Sequence, residues 1–184
     1  MERTFRYDIM PEIKERWSPR AFSEERIPRE EILALIEAAS FAPSCFNEQP
    51  WRFIIADSEE KLAKMRDTLT VQNQVWANKA PVLILIAAKK NFSLNNWENF
   101  WHMFDAGTSW GFLSLEAVRR GLVTHAMGGF DTEKAREAFA ISDKYEIITI
   151  VAVGKYGRPE ELPDDLQKRE RPDVRKDVES LILD

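Results

Sequence analysis

The sequence predicts a single domain in which helices and strands intermix as α+β or α/β. Of these two classes we expect α+β, an α/β sandwich with a largely buried central sheet. The run from Pro81 to Ala88 (PVLILIAA) is apolar throughout, as in a strand buried on both faces. Helical and strand patterns also alternate along the chain. The length of 184 residues favours one domain, residues 1–184, with a sizeable core.

The first part of the chain contains two helices separated by prolines. Residues 12–17 have the pattern of the end of a first helix, which Pro19 breaks. Pro28 opens the second helix at a position where its missing N–H costs nothing. That helix must end before Pro43. Its buried face is predicted from apolar residues at helical spacing, namely Ile32, Leu35, Ile36 and Ala39.

A strand and a third helix come next. The segment Trp51–Ala56 (WRFIIA) has the composition of a strand. Asp57 and Glu60 form a candidate capping box, which predicts a helix through Leu69. The buried apolar strand that begins at Pro81 then follows.

The second half of the chain contains a long helix, two strands and a polar tail. The long helix is predicted from about Asn95 to Arg120, and Gly121 closes it in a left-handed conformation. Leu122–Met127 reads as a short strand, Asp131 as the start of a short helix, and Tyr145–Val153 as a strong strand. The tail is polar apart from one apolar patch formed by Val178, Leu181, Ile182 and Leu183.

Composition argues against several classes of function. The formal net charge of -5 disfavours nucleic acid as a partner, because phosphate-backbone binding needs a basic face. The single cysteine, Cys45, precludes an intramolecular disulfide and any metal site with two thiolates. His102 and His125 lack metal-ligand spacing, so we expect no metal. No apolar run is long enough to span a bilayer and the first residues lack a secretory pattern, so we expect a cytoplasmic protein without a membrane partner.

The glycines limit how a phosphate could be bound. None of the seven belongs to a GxGxxG pattern or a phosphate loop. A Rossmann dinucleotide site and a nucleoside triphosphatase are therefore not expected. Any phosphate-bearing cofactor must be held by side-chain cations or by other backbone groups.

Two segments have the residue types of a binding site. In Arg16-Trp17-Ser18-Pro19-Arg20, two guanidinium groups and a hydroxyl in a proline-restrained turn can bind one phosphate; the alternative is a pair of exposed surface arginines. The segment APSCFNEQPW, residues 42–51, carries short polar side chains that suit the pyrimidine edge of a flavin. Its alternative is a turn whose serine and asparagine cap neighbouring backbone.

The order of the motifs resembles the FMN-dependent nitroreductase family over nearly the whole chain. RWSPRAF is followed after about twenty residues by APSCFNEQPWRFII. APVLILIAA, Asp105 with LSLEAVRRGL, AMGGFD, IVAVGKYGRPEELPDD and RKDVESLIL then follow in the family's order. The resemblance implies a central, mostly antiparallel sheet flanked by helices, a long central helix and an extended C-terminal tail.

The resemblance also implies roles for individual residues. The cofactor-binding positions are Arg16, Trp17, Ser18, Arg20, Pro43, Ser44, Cys45, Asn47, Gln72, Asn73, Met127, Gly128, Gly129, Arg175 and Lys176. Among them Arg16, Ser18, Arg175 and Lys176 correspond to the phosphate end, and Arg20 to a cation near the flavin pyrimidine. Ser44, Cys45 and Asn47 correspond to positions lining the ring, and residues 127–129 to the turn on its N5 side. Gly128 and Gly129 suit a close approach of the backbone to the flavin, since they have no side chain.

The activity implied by the resemblance is electron transfer from NAD(P)H through bound FMN to a nitro compound, a quinone or a similar acceptor, by a ping-pong mechanism. The cofactor supplies the redox chemistry, so no protein side chain is assigned as a catalyst. The alternatives are a flavin-binding, flavin-modifying or specialised-substrate relative, dehalogenase-like or oxidase-like, and a non-catalytic dimeric binding module.

The family resemblance further implies a homodimer whose flavin sites lie between subunits. Trp97, Phe100, Trp101 and Phe104 would form an aromatic face on the long helix, either as core or dimer interface or as a roof over planar substrates. Gly107 and Gly111 lie one helical turn apart and permit close approach of another helix.

One residue departs from the family pattern, and two others are open to two interpretations. Val75 occupies the place of a second cation that many relatives carry near the flavin, and Gln72 or Asn73 offers only a hydrogen bond there. Cys45 is interpreted as structural rather than redox-active, since no basic neighbour is evident. His125 is interpreted as a satisfied core histidine, the alternative being a proton donor to product.

Overall fold

The structure is a computed structural model that describes residues 3–183, so the two ends of the predicted domain 1–184 lie outside the described residues. Four strands, β1 (Trp51–Ala56), β2 (Val82–Lys89), β3 (Val123–Met127) and β4 (Tyr145–Gly154), form one sheet. The order is β1-β2-β4-β3, and all three pairings are antiparallel. The predicted α+β sandwich is confirmed.

The described residues also form seven α-helices. Their bounds are α1 (Pro11–Glu15), α2 (Arg29–Ser40), α3 (Glu59–Thr68), α4 (Val71–Ala77), α5 (His102–Arg119), α6 (Thr132–Ala138) and α7 (Asp164–Gln167). Short 3-10 turns occur at Cys45–Asn47, Pro159–Glu161 and Glu179–Leu181. None of the helices in residues 3–183 combines the length and apolar content that a membrane span requires.

The sheet is covered on both faces, because alternate residues of its two central strands point into different cores. Leu83 and Leu85 pack in a core with α3, α4 and α6. Ile84 and Ile86 pack in a second core with α2 and α5. Residues 82–88 are all buried, as the apolar run predicted. Of the four apolar residues predicted on the face of α2, three are buried and Ile36 is half-buried.

The long helix starts later than predicted. α5 begins at His102 rather than near Asn95, because the preceding residues form a turn in which Asn96 has a φ of 60°. Asparagine tolerates this left-handed conformation better than other non-glycine residues. The side-chain amide of Asn91 donates to the carbonyl of Asn96 at 2.8 Å and stabilises the turn. Gly121 ends the helix with a φ of 71°, as predicted.

Two local predictions were wrong or incomplete. The N-cap of α3 is Ser58 rather than Asp57, since the Ser58 hydroxyl accepts the backbone N–H of Lys61. Asp57 instead pairs with Arg29 at 2.5 Å. Helix α4 was not predicted, because its seven residues are too few for a clear periodic pattern.

The chain beyond β4 returns to the start of the domain. Tyr156 bridges to Phe22, and the N–H of Gly157 donates to the carbonyl of Ala21 at 2.9 Å. A Cβ at Gly157 would lie 2.5 Å from the carbonyl carbon of Phe22, so only glycine permits this approach. This contact places the polar tail beside the segment that contains Arg16 and Arg20.

Candidate functional site

A basic cavity of about 360 Å³ lies where the tail meets the Arg16–Arg20 segment and strand β3. Seven of its eleven lining residues are arginine or lysine, and one is an aspartate. The lining residues are Arg3, Arg16, Trp17, Ser18, Arg20, His125, Lys168, Arg169, Arg171, Asp173 and Arg175. A cavity with this charge is suited to an anionic group.

Arg16 is a half-buried cation of the cavity. Its guanidinium lies 3.5 Å from the Ser18 hydroxyl, and its carbonyl accepts a hydrogen bond from Arg3 at 2.8 Å. Burial lowers the pKa of Arg16, and the nearby positive charges of Arg175 and Arg3 lower it further. A dianionic phosphate would raise the pKa of Arg16 again, because it supplies an opposite charge next to the guanidinium.

Arg20 lies on the same segment and carries a second positive charge into the cavity. Burial and the positive charge of Arg169 lower its pKa, while the nearby Glu170 carboxylate raises it. Arg20 and Arg169 therefore approach each other without a complete counter-charge between them.

His125 forms an uncharged part of the cavity wall. Its Nδ1 lies 2.9 Å from the carbonyl oxygen of Pro19, and since a carbonyl only accepts, we assign the proton to Nδ1. The ring also packs against Trp76, with centroids 4.5 Å apart. Burial is the main cause that lowers the pKa of His125 to about 4. The ring is neutral near pH 7, as expected for a satisfied core histidine.

The glycine turn after β3 is held by helix α4 and the residue before it. The side-chain amide of Asn73 donates to the carbonyl of Gly129 at 2.8 Å, and the N–H of Thr70 donates to the same oxygen at 3.1 Å. A Cβ at Gly129 would lie 2.8 Å from the Asn73 amide nitrogen. A Cβ at Gly128 would meet nothing within 4 Å. Gly129 is thus needed for packing, whereas Gly128 faces open space.

The loop of residues 43–49 is a separate feature with a strained backbone. Phe46, Asn47 and Gln49 all have positive φ, at 52°, 55° and 49°. The Ser44 hydroxyl accepts the N–H of Gln49 at 3.0 Å, which is the capping role that the sequence left open for this segment. Several left-handed non-glycine residues in one loop are typical of functional sites.

Asp105 anchors this loop to helix α5. Its carboxylate accepts the backbone N–H of Cys45 at 3.1 Å, and the residue is 3% exposed. Burial raises the pKa of Asp105, and the Cys45 N–H opposes that shift. Asp105 was recognised in the sequence only as part of the family helix motif, not as a loop anchor.

The predicted site residues fall into groups that do not meet within one protomer. Arg16, Trp17, Ser18, Arg20 and Arg175 line the basic cavity, whereas Lys176 lines an adjoining groove beside Arg175. Asn73 joins Gly129 beyond the end of β3, and its neighbour Gln72 is exposed on α4. The remaining group, Pro43, Ser44, Cys45 and Asn47, precedes β1.

The strand order explains the separation. β1 and β3 are the two edges of the four-stranded sheet, three strand spacings or about 14 Å apart. The 43–49 loop contacts α5 on one face of the sheet, and Gly129 contacts α4 on the other. The two groups therefore lie at opposite edges and on opposite faces of the sheet within one protomer.

Four cavity cations were missed by the sequence analysis: Arg3, Lys168, Arg169 and Arg171. The signal available was the charge run KRER at 168–171, which on its own is typical of a solvated surface. Within the described part of the chain, no three His, Cys, Asp or Glu side chains lie together as metal ligands.

The aromatic residues near the start of α5 lie on the surface. Trp97 is 74% exposed, Phe100 78% and Phe104 70%, so their interpretation as core is wrong. A Cβ at Gly107 or Gly111 would meet nothing within 4 Å. We call this surface the α5 face; it is formed by Trp97, Phe100 and Trp101 just before α5 and by Phe104, Gly107 and Gly111 on it. An apolar surface of this kind is typical of an interface.

Fold and site together define an α+β protein with a basic cavity that is suited to an anionic group. The sequence pattern of the Nitroreductase family matches residues 13–75 and 68–155. The chain therefore belongs to the Nitroreductase family. One relative is an Archaeoglobus fulgidus protein whose name proposes an NADH dehydrogenase or NAD(P)H nitroreductase; it is 28% identical over 143 residues, 76% of this chain and 80% of the relative.

Solved structures show the same fold. The structure of an oxidoreductase containing FMN is 35% identical, with a TM-score of 0.94 over 98% of this chain and 93% of the other. A proposed nitroreductase from Exiguobacterium sibiricum 255-15, solved in complex with FMN, is 23% identical; its TM-score is 0.80 over 97% of this chain and 98% of the other.

Proposed function

We propose that this protein is an FMN-dependent oxidoreductase that takes electrons from NADH or NADPH and passes them to a nitro compound, a quinone or a similar acceptor by a ping-pong mechanism. The observation that carries the proposal is the basic cavity, whose wall includes His125 on the strand that leads to the Gly128–Gly129 turn. Bound FMN would supply the redox chemistry, and the protein would bind and orient it. The FMN-containing relative at 35% identity supports this assignment.

The phosphate end is assigned to the basic cavity. Arg16 and Ser18 offer a guanidinium fork and a hydroxyl on one short segment, and Arg3 and Arg175 add charge from both ends of the chain. The half-buried guanidinium of Arg16 lacks a carboxylate partner among the described residues, which fits a dianionic ligand. Lys176 stays a predicted contributor from the adjoining groove.

The ring end is assigned to two chains. Arg20, Asn73 and the Met127–Gly129 turn would come from one protomer, and Ser44, Cys45 and Asn47 from its partner. The opposite edges and faces of these groups in the sheet support a homodimer, as does the exposed α5 face. Arg20 would stabilise negative charge on the reduced ring, because a fixed guanidinium needs no reorganisation as that charge develops.

Titration of the purified protein with FMN tests the cofactor assignment. We expect tight binding, with a yellow protein and quenched flavin fluorescence. Colourless protein that ignores added FMN would contradict the proposal and would favour the non-catalytic module.

Anaerobic stopped-flow reduction with NADH and with NADPH tests the electron donor. Loss of the flavin absorbance, followed by its return when a nitroarene or quinone is mixed in, supports the ping-pong sequence. A flavin that neither nicotinamide reduces would instead favour a relative with a specialised reaction. The cytoplasmic location stays a prediction from the sequence.

A further inference from the structure

Glu170 is a carboxylate on the tail between Arg169 and Arg171, two cations that line the basic cavity. Its Oε1 accepts the backbone N–H of Arg20 at 2.8 Å and that of Ala21 at 2.8 Å, and its Oε2 accepts the Arg20 N–H at 3.1 Å. These bonds join segments 150 residues apart in the chain. Hydrogen bonds from backbone amides to a charged carboxylate are among the stronger ones in proteins.

The Glu170 contact fixes the part of the tail that carries the missed cations. Glu170 lies between Arg169 and Arg171, and Lys168 precedes Arg169. These three cations line the cavity, although each is exposed. Arg169 lies close enough to Arg20 for the two positive charges to repel each other. Like charges on a polar tail separate unless something holds them, and Glu170 provides the bonds that oppose the separation.

We propose that Glu170 is a positioning residue for phosphate binding, holding the cations of residues 168–171 in the cavity through its bonds to the Arg20 and Ala21 amides. The proposal rests on the proposed function for its ligand, the phosphate of FMN. The proposal predicts a change in FMN affinity opposite to the change expected from charge alone. Removing a negative charge from a basic site ordinarily strengthens anion binding, whereas loss of Glu170 weakens it here because the tail cations leave.

The test compares Glu170→Ala, Glu170→Gln and the control Asp165→Asn in the full chain. Asp165 lies on the same tail, and its side chain makes no hydrogen bond or ion pair with the other described residues. We expect Glu170→Ala to weaken FMN binding about tenfold, as for a lost charge-assisted contact. Glu170→Gln keeps an acceptor oxygen and should fall between Glu170→Ala and wild type. The control should bind FMN like wild type.

Riboflavin separates positioning from a general loss of structure, because it has the same ring but no phosphate. If Glu170 positions the tail cations, Glu170→Ala should change riboflavin affinity less than FMN affinity. Equal losses for both ligands would overturn the proposal. Tighter FMN binding by both Glu170 variants would also overturn it, since that result follows from charge alone.

Hydrogen exchange of the Arg20 and Ala21 amides tests the contact without any flavin. We expect both amides to be protected in wild type and in Asp165→Asn, and to exchange faster in Glu170→Ala. Unchanged exchange would overturn the proposal even if FMN binds. A wild-type protein that fails to bind FMN, but shows the expected exchange pattern, would refute the proposed function and leave the Glu170 contact established.

Discussion

The basic cavity and the 43–49 loop are stabilised in different ways. The cavity gathers cations from Arg3 to Arg175, and long-range bonds to backbone atoms hold them together against their mutual repulsion. The loop is held by bonds within itself, by the bond from the Cys45 N–H to Asp105 on α5, and by bonds from Ser93 to the Glu48 carboxylate. Positive charge without a carboxylate partner is the main feature of the basic cavity, whereas backbone strain is the main feature of the 43–49 loop.

The difference indicates what each region requires from outside the chain. The cavity is formed within one protomer and is suited to an anion, because its positive charges outnumber its carboxylates. The loop lies at the opposite edge of the sheet, beside the exposed α5 face, where a second protein surface would cover apolar side chains. Perturbing one region at a time should therefore separate phosphate binding from assembly.

The largest effect is expected from a charge on the α5 face. Phe104→Glu would place two carboxylates in a twofold interface, because each substitution occurs twice in a symmetric dimer. Desolvating them costs several kcal/mol, so we expect the dimer to dissociate about 1,000-fold more readily. Light scattering and sedimentation over a concentration series measure this.

The control for the α5 face is Phe104→Leu, which keeps an apolar side chain and should stay dimeric. The monomer formed by Phe104→Glu should also bind FMN weakly, because its ring site lacks the partner's loop. A monomer that binds and reduces FMN like wild type would contradict the shared pocket.

A smaller effect, on the reduction rate, is expected at the glycine turn. Gly128→Val has room for its side chain within the protomer, so the melting temperature should be unchanged. Its side chain would hold the backbone away from the flavin, and a displacement of about 1 Å can slow reaction about 100-fold. Stopped-flow reduction by NADH measures the rate.

Gly129→Ala is the matched comparison for Gly128→Val. Its Cβ would meet the Asn73 amide at 2.8 Å, so we expect lower stability, by about 1–3 kcal/mol, as for overpacking. Normal flavin reduction in Gly128→Val would count against the assignment of this turn to the ring.

The elements that the sequence predicted well are those with a local cause. Strand β1 has its predicted bounds, because a proline precedes it and β-forming residues fill it. Asp131 caps α6 as predicted, since its side chain accepts the N–H of Lys134. Arg16, Ser18 and Arg20 share a cavity because they lie within five residues of one another.

The features that the sequence did not predict depend on contacts between distant segments. Arg169 becomes a cavity residue only because Glu170 binds amides 150 residues away. The start of α5 was misplaced because Asn96 adopts a left-handed conformation that no periodic pattern reveals. The aromatic residues have helical spacing, yet only Phe104 lies in α5, and Trp97, Phe100 and Trp101 lie before it; all four are exposed.

A moderate effect on cofactor affinity is expected for Arg16→Ala. Loss of a bidentate, charge-assisted contact should weaken FMN binding about 30-fold. Arg29→Ala is the control, because Arg29 pairs with Asp57 at the surface and lies outside both the basic cavity and the adjoining groove. Fluorescence titration with FMN measures both, and unchanged affinity in Arg16→Ala would refute its phosphate role.

The smallest effect concerns folding stability and arises from His125. Its pKa is about 4 in the fold against 6.5 as the reference, so the unfolded chain binds a proton first as the pH falls. Acid therefore favours unfolding. Stability should fall by about 1.4 kcal/mol between pH 7.5 and pH 5.5, a tenfold change in the folding equilibrium. The positive charges of Arg20 and Arg16 contribute to this shift in the same direction as burial.

Urea unfolding at the two pH values measures the effect in wild type and in His125→Gln, which should lose it. Retention of the full pH dependence in His125→Gln would assign the effect to another group.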